Sequence, residues 1–507
     1  MLKLAFFSAI ESELAVLSKA VRKIRAEKGK IIEVQGRTRE DLEDGEKKDR
    51  FLSFAQKADV LIVCLHGGKS SCPGFDLIID ALPPAVKVHI QPSTVEEVEI
   101  VTKYNTVSTE DSKKISHYLR YGGENNFVNL LLFLSNRFRG TAYKVAEPQP
   151  LPWEGIYHPD FDSIPALEDY CRKKHFPDRP TVGLWFHRSH WVNMNTDFVD
   201  AIVREIEKQG ANALPVFLTV LKDVDLGNKG AREVADAFFM RDGKPIIDVL
   251  ISVMMFSSTM QVKKSEIVDG ENKGFLEKLG VPVIQAIASL NPMEEWEKTL
   301  QGLNPIDVAM SIAMPEFDGN LITVPAAFKG LVAVDPLTGA KIVKYRPHPE
   351  RISKIVRLSL NWAKLRFIPN SEKKVAIIFH NYPPRNDTIG SAFGLDSPAS
   401  VWNILKSLQK HGYKLDYLPE DSQTMMEEIL SCLTNDRRWA SVEEMVEKAA
   451  GKITSSDYNK WFKKLPDGVQ TQMVEKWGNP PGSVFCYEDN LLIPGIINGN
   501  VFIGIQP

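Results

Sequence analysis

Short apolar runs that stop at a polar or glycine-rich stretch recur along this chain. TVGLWF (Thr181 to Phe186) is one such run. Behind it Phe198, Val199, Ile202, Val203 and Ile206 return at helical spacing until Gly210, and ANALPVFLTV then reads as a second strand. Strand, polar loop, helix, strand is the order of a parallel α/β unit. Runs at Ala58 to Gly68, Pro245 to Ser258, Val281 to Ile287, Pro305 to Gly319 and Lys373 to Phe379 repeat the strand-then-loop pattern. The last leads into HNYPPRNDTIGSAFGLD, a helix opening at Ser397-Pro398 with Ser397 as its cap, and a returning strand YKLDYLP (Tyr413 to Pro419). The fold class expected is therefore α/β, with several doubly wound, Rossmann-like parallel-sheet domains. No fixed repeat period emerges, which excludes a solenoid.

Two stretches read as boundaries: the proline-bearing AEPQPLPWEG (Ala146 to Gly155) and the amphipathic PERISKIVRLSLNWAKLRF (Pro349 to Phe367). They predict an N-terminal α/β head over 1–150, a central α/β region over 151–368 and an α/β domain over 369–507. The last is interrupted near the C-terminus by a helical insertion at about 421–478, where Ser441 and Glu444 have capping-box spacing.

Composition narrows the function classes. The chain has 507 residues, with 62 basic and 65 acidic side chains and a net charge of −3, so nothing electrostatic calls for nucleic acid or an anionic membrane. Five scattered cysteines, none in a C-x-x-C pair, indicate neither a thiolate zinc site nor a disulfide framework. The N-terminus carries no cleavable leader and no run long enough to span a membrane, so a cytoplasmic location is expected. LHGGKSS (Leu65 to Ser71) lacks P-loop spacing, so ATP is not assigned to this chain.

In open parallel sheets ligands bind beyond the carboxyl ends of strands. HRSHWVNMNT (His187 to Thr196), the loop from His380 to Asp396 and MPEFDGN (Met314 to Asn320) are expected there. These stretches, with GIYHPD (Gly155 to Asp160), LPVF, GLDSPAS and the closing WGNPPGSVFCYEDNLLIPGIINGNVFIGIQP, resemble the large subunit of the ATP-dependent metal chelatases. That family includes the CobN type and the magnesium chelatase H subunit. The resemblance runs from about Ser116 onward, and GLDSPAS and the helical block lie nearer the cobalt branch.

The resemblance implies a tetrapyrrole-binding subunit that inserts Co2+ into a corrin precursor of the hydrogenobyrinic acid a,c-diamide type, for cobalamin biosynthesis. Partner AAA+ subunits would hydrolyse the ATP. Two rivals stay open: a magnesium-branch subunit that inserts Mg2+ into protoporphyrin, and a non-catalytic tetrapyrrole carrier or sensor. The family's segment with a metal-insertion glutamate lies downstream of the residues that Gly504 to Pro507 resemble. The catalytic residues are therefore unassigned, a carboxy-terminal half is an expected partner, and this chain alone is expected to be inactive.

Metal insertion needs transient oxygen or imidazole ligands, a base and apolar ring faces. His190, with His187 beside it, could supply imidazole, and Arg188 could pair with a tetrapyrrole carboxylate. Ser189 and Asn195 complete that loop as ring-binding candidates. Equally, Ser189 and His190 could bond the loop backbone and Arg188 form an internal ion pair. Tyr157 and His158 enter through the resemblance as ring-lining candidates, against a purely structural turn. Asn381, Tyr382 and Arg385 could face the ring while Gly390 permits close approach, against a loop merely stiffened by Pro383 and Pro384. Glu316 and Asp318 suit a hard cation, with His190 as third candidate ligand, against a turn and helix cap.

Overall fold

A computed structural model of the chain describes residues 1–93, 102–219, 222, 227–258, 274–436, 438 and 441–506. The chain divides into two compact units, Met1–Lys364 and Leu365–Pro507. The first holds two sheets. β1 (Leu2–Ser8), β2 (Ile32–Arg37), β3 (Val60–Cys64) and β4 (Lys87–Gln91) pair all-parallel in the order β2-β1-β3-β4. α1 (Glu11–Lys28) and the helices Thr109–Tyr121 and Glu124–Arg139 bury one face through Leu14, Leu17, Tyr118 and Leu130. Phe51, Phe75 and Ile78 close the other face. Cover on both faces is why strands such as VLIVC are apolar throughout.

The second sheet runs β13-β12-β11-β10-β6-β7-β5. Its members are β5 (Gly155–Ile156), β6 (Thr181–His187), β7 (Asn212–Leu218), β10 (Val249–Ser252), β11 (Val283–Ser289), β12 (Leu321–Val334) and β13 (Lys341–Pro347). The strands β8 (Met240–Arg241) and β9 (Lys244–Pro245) form a separate small hairpin. The five central strands are parallel, and β5 and β13 pair antiparallel at the edges. α2 (Asp197–Lys208) and α3 (Pro349–Leu365) pack on one face, each through an apolar stripe: Phe198, Ile202 and Ile206 on α2, Ile352, Val356 and Leu360 on α3. Trp185, Phe239 and Phe275 fill the opposite face.

Strand order reverses at one place in each sheet. β1 has β2 on one side and β3 on the other; β6 has β7 on one side and β10 on the other. The carboxyl ends of β1 and β6 are therefore the switch points at which an open α/β sheet leaves a crevice.

In the second unit β14 (Val375–Phe379) and β19 (Val501–Ile505) pair parallel, and β18 (Gly495–Asn498) joins β19 antiparallel. α4 (Ser397–Lys410) and α5 (Ser422–Ser431) cover one face. Helices at Val442–Lys448, Ser455–Phe462 and Asp467–Trp477 follow, with the predicted Ser441 capping box present, beside a small sheet of β15 (Gly451–Thr454), β16 (Cys486–Tyr487) and β17 (Asn490–Ile493).

Three expectations are corrected. The run Pro305 to Gly319 is helical, built of Pro305–Asp307, a π-helical Val308–Ala313 and Met314–Phe317. Asn304 caps it, its side chain accepting the Asp307 N–H. Length was the sign missed, since an apolar run of more than ten residues favours helix over strand. Tyr413 to Pro419 forms no strand: the Asn498 side chain, not a ladder, accepts the Asp416 and Tyr417 N–H groups at 2.8 and 3.2 Å. Finally, Asp396 and not Ser397 caps α4, accepting the Ala399 N–H.

Candidate functional site at facing strand ends

In the first unit both switch points carry titratable groups. β1 ends at Ser8 and turns into α1, whose first turn presents Glu11 and Glu13. β3 leads into Leu65-His66-Gly67-Gly68, and β6 ends at His187, the cap of the short helix Arg188–Val192. His187 Nδ1 accepts from the Ser189 hydroxyl at 2.7 Å and from the Ser189 N–H at 3.3 Å, which leaves the proton of the neutral ring on Nε2. Burial pushes His187 down to about 4, with the Arg188 charge and then His66 adding to the shift. The two strand ends are thus within electrostatic reach. His190 is pushed down to about 3 by burial and by His187, and it sits edge-on to Phe198 and Tyr345 at 5.0 and 5.4 Å. Both rings are neutral at pH 7, the state in which imidazole ligates a cation.

Glu13 behaves oppositely. Burial raises it from 4.5 to about 7, against the lowering effect of Ser8 Oγ 2.8 Å away. A carboxylate titrating near 7 is suited to accept and release protons. Four ties fix α1 to the larger sheet's side: Asn193 Nδ2 to Ser12 Oγ at 2.8 Å, Glu11 to Lys329 at 2.5 Å, Ser18 to Thr338 at 2.8 Å, and Arg22 to Asp335.

Other candidates are spent on the chain itself. Arg188 is buried, donates to the carbonyls of Pro152, Tyr121 and Leu151 at 2.8, 3.0 and 3.3 Å, and stacks on Trp153 at 4.2 Å. Burial lowers even this guanidinium to about 10. Its donors serve the 150s segment and the end of the helix Thr109–Tyr121, not a free crevice. Asn195 accepts the Tyr345 N–H at 2.9 Å. Tyr157 Oη bonds Asp200 at 2.7 Å in the first turn of α2, while buried His158 bonds Glu207 at 3.1 Å in the last turn. The Asp160 N–H donates to His158 Nδ1, so Nε2–H donates to Glu207.

His158, Asp160 and Glu207 present three ligand atoms within 4.8 Å of one another, the one such group among the described residues. Lys174 and Arg204 already bind both carboxylates, so the cluster is a neutralised ion network. His190, Glu316 and Asp318 are not gathered into a ligand set among the described residues. Asp318 accepts from the Ser257 hydroxyl and the Ser258 N–H, and Glu316 is exposed beside exposed Phe317. The helical run before them buries Asp307 and Ser311 and exposes Ile306 and Val308, the reverse of an ordinary amphipathic helix.

In the second unit the loop after β14 is organised from within. The buried Asn381 amide lies 2.8 Å from Thr388 Oγ1, Arg385 pairs with Asp387, and the Gly390 N–H donates to His380 O at 2.7 Å. Gly390 has φ 74°, and a Cβ there would lie 2.9 Å from the Phe379 ring. What the loop offers outward is aromatic: Tyr382 is 77% exposed and Phe393 wholly so. Sequence reading missed Glu13 and His66, which come from the other sheet, and Phe393, whose place between Ala392 and Gly394 was the available signal.

The strand-end crevices and sheet orders define an α/β protein of the open, Rossmann-like class. The chain belongs to the CobN/Magnesium Chelatase family, whose model matches residues 116–507. It is 39% identical to an uncharacterized protein of Methanocaldococcus jannaschii, over 100% of this chain and 41% of that one. It is 30% identical to the aerobic cobaltochelatase subunit CobN of Pseudomonas aeruginosa, over 89% of this chain and 34% of that one. The catalytic subunit of cobaltochelatase from Mycobacterium tuberculosis shares the fold, with a TM-score of 0.62 at 23% identity over 100% of this chain and 38% of that one. The chain thus spans well under half the length of these relatives. No helix among the described residues is long and apolar enough to cross a membrane.

Proposed function

We propose that this chain is the tetrapyrrole-binding part of a cobaltochelatase-like large subunit, acting in the cytoplasm on a corrin precursor. Co2+ is the substrate metal. A carboxy-terminal portion and AAA+ ATPase subunits complete the machine, and this chain alone neither hydrolyses ATP nor inserts metal. The observation that carries the reading is the aromatic display of Tyr382 and Phe393 beyond the carboxyl end of β14, where a flat macrocycle gains ring-face contact. Within the first unit, taken by itself, neutral His187 and His190 suit transient contact with a late divalent cation, and Glu13 suits proton acceptance. The cobalt branch is favoured because similarity to the Pseudomonas CobN spans 89% of the chain, against 76% for the rice magnesium-chelatase subunit ChlH at 28% identity.

Absorbance titration with a corrin precursor and with protoporphyrin tests the proposal. A red-shifted, saturable spectrum with the corrin is expected. Preference for protoporphyrin would move the chain to the magnesium branch, and no change with either ring, the chain being folded, would refute ring binding.

A further inference from the structure

The sheet of the second unit is finished on one side only. Phe379, Ile496, Val501, Ile503 and Ile505 face α4 and α5. On the opposite face, register puts Ala376, Phe502 and Ile497 in one row across the three strands and Ile378, Gly504 and Gly495 in the next. Ile378 and Ile497 are 55% and 60% exposed. The Phe502 ring and Ile378 lean over Gly504, where a Cβ would lie 2.6 and 2.9 Å from them. A solvated sheet face alternates to polar side chains, and a parallel pair such as β14 and β19 is ordinarily covered on both faces. These two rows carry no polar side chain.

We propose that this face is the seat of an amphipathic helical segment from the portion that the longer relatives carry outside the matched stretch, whether on the same polypeptide or a second one. The inference rests on the reading of the chain as part of a chelatase large subunit. The Methanocaldococcus relative aligns with all of this chain through only 41% of its own length, so most of that protein has no counterpart here. Uncharged rows call for an apolar partner surface. Helices are what ordinarily cover the open face of a parallel pair, so a helix is the element that fits.

The test co-expresses the tagged chain with the part of the Methanocaldococcus relative outside the match. A one-to-one complex is expected, reduced at least tenfold by Ile378→Lys or Ile497→Lys and unchanged by Val469→Lys on the helix Asp467–Trp477. A soluble partner that is not captured, capture indifferent to both substitutions, or self-association of the chain abolished by them would each overturn the proposal. If the partner portion is insoluble by itself, the two parts are fused in the relative's order. The Ile→Lys substitutions should then lower the melting temperature of the fusion and leave that of the 507-residue chain nearly unchanged, and equal effects in both overturn it. The tetrapyrrole titration is run on the chain alone, so lost ring binding with an intact complex refutes the ring-binding reading and not the docking face.

Discussion

Ser8 Oγ lies 2.8 Å from the Glu13 carboxylate across the turn that joins β1 to α1, and it is the one hydrogen bond that holds this acid's shift in check. Burial still raises Glu13 from 4.5 to about 7. The folded state therefore holds its proton more tightly than the unfolded chain does. The penalty is absent below pH 4.5, grows as pH rises, and is complete above about 7. Glu13→Gln should stabilise the protein by about 1 kcal/mol at pH 8, allowing for partial solvent access, and by almost nothing at pH 4.5. Thermal melts of both proteins at the two pH values check this.

The histidines predict the opposite slope in acid. His89, His187 and His190 are pushed down to about 4, 4 and 3, in each case first by burial. The unfolded chain takes up their protons near 6.5 and the folded one does not, so stability is lost as pH falls below 6.5. The melting temperature should drop between pH 6.5 and 4, and His187→Gln with His190→Gln should flatten that drop. An acid limb unchanged in the double variant would show that other groups dominate it.

Arg188 should behave as a structural residue. Removing a buried guanidinium that satisfies three carbonyls and stacks on Trp153 is expected to cost about 3 kcal/mol in Arg188→Ala. Arg188→Lys should not restore it, because one ammonium cannot reproduce the planar fork. Denaturant melts measure the loss. A variant that keeps wild-type stability but loses tetrapyrrole affinity would return Arg188 to the ligand site.

Tyr382→Ala and Phe393→Ala should each weaken tetrapyrrole binding about 3- to 10-fold, the worth of one lost aromatic contact. Their exposure means that neither should shift the melting temperature appreciably. Affinity unchanged in the double variant would remove this loop from the proposed ring site.

The parallel-sheet α/β architecture was legible because β6, β7, β10, β11 and β14 are apolar runs closed by polar loops, and α2 and α3 carry unambiguous stripes. The helix at Pro305 to Phe317 was not, because its buried positions are Asp307, Ser311 and Pro315, which invert the expected pattern. Tyr413 to Pro419 alternates like a strand but is held by scattered bonds, from the Asn498 side chain, the Asn500 N–H and the Trp402 indole, and not by a ladder. Of the candidate site, sequence could put His187 and His190 behind a strand. It could not show that His66 comes within electrostatic reach of His187, or that Ser12 beside Glu13 meets Asn193, since that convergence depends on how two sheets over a hundred residues apart are set together. Nor could it show that Arg188 turns inward, because an arginine in a polar loop looks the same whether it meets solvent or carbonyls.

The ties from α1 to the larger sheet reach over three turns of one helix, from Glu11 and Ser12 through Ser18 to Arg22. Within the first unit this makes the junction of the two sheets, where Ser12 meets Asn193, a fixed seam and not a jaw that swings. A guest bound against that seam meets walls whose ordering was settled at folding, so its affinity is taxed little by protein rearrangement. The same stiffness means that no guest can part the two sheets there except through rupture of α1's anchors.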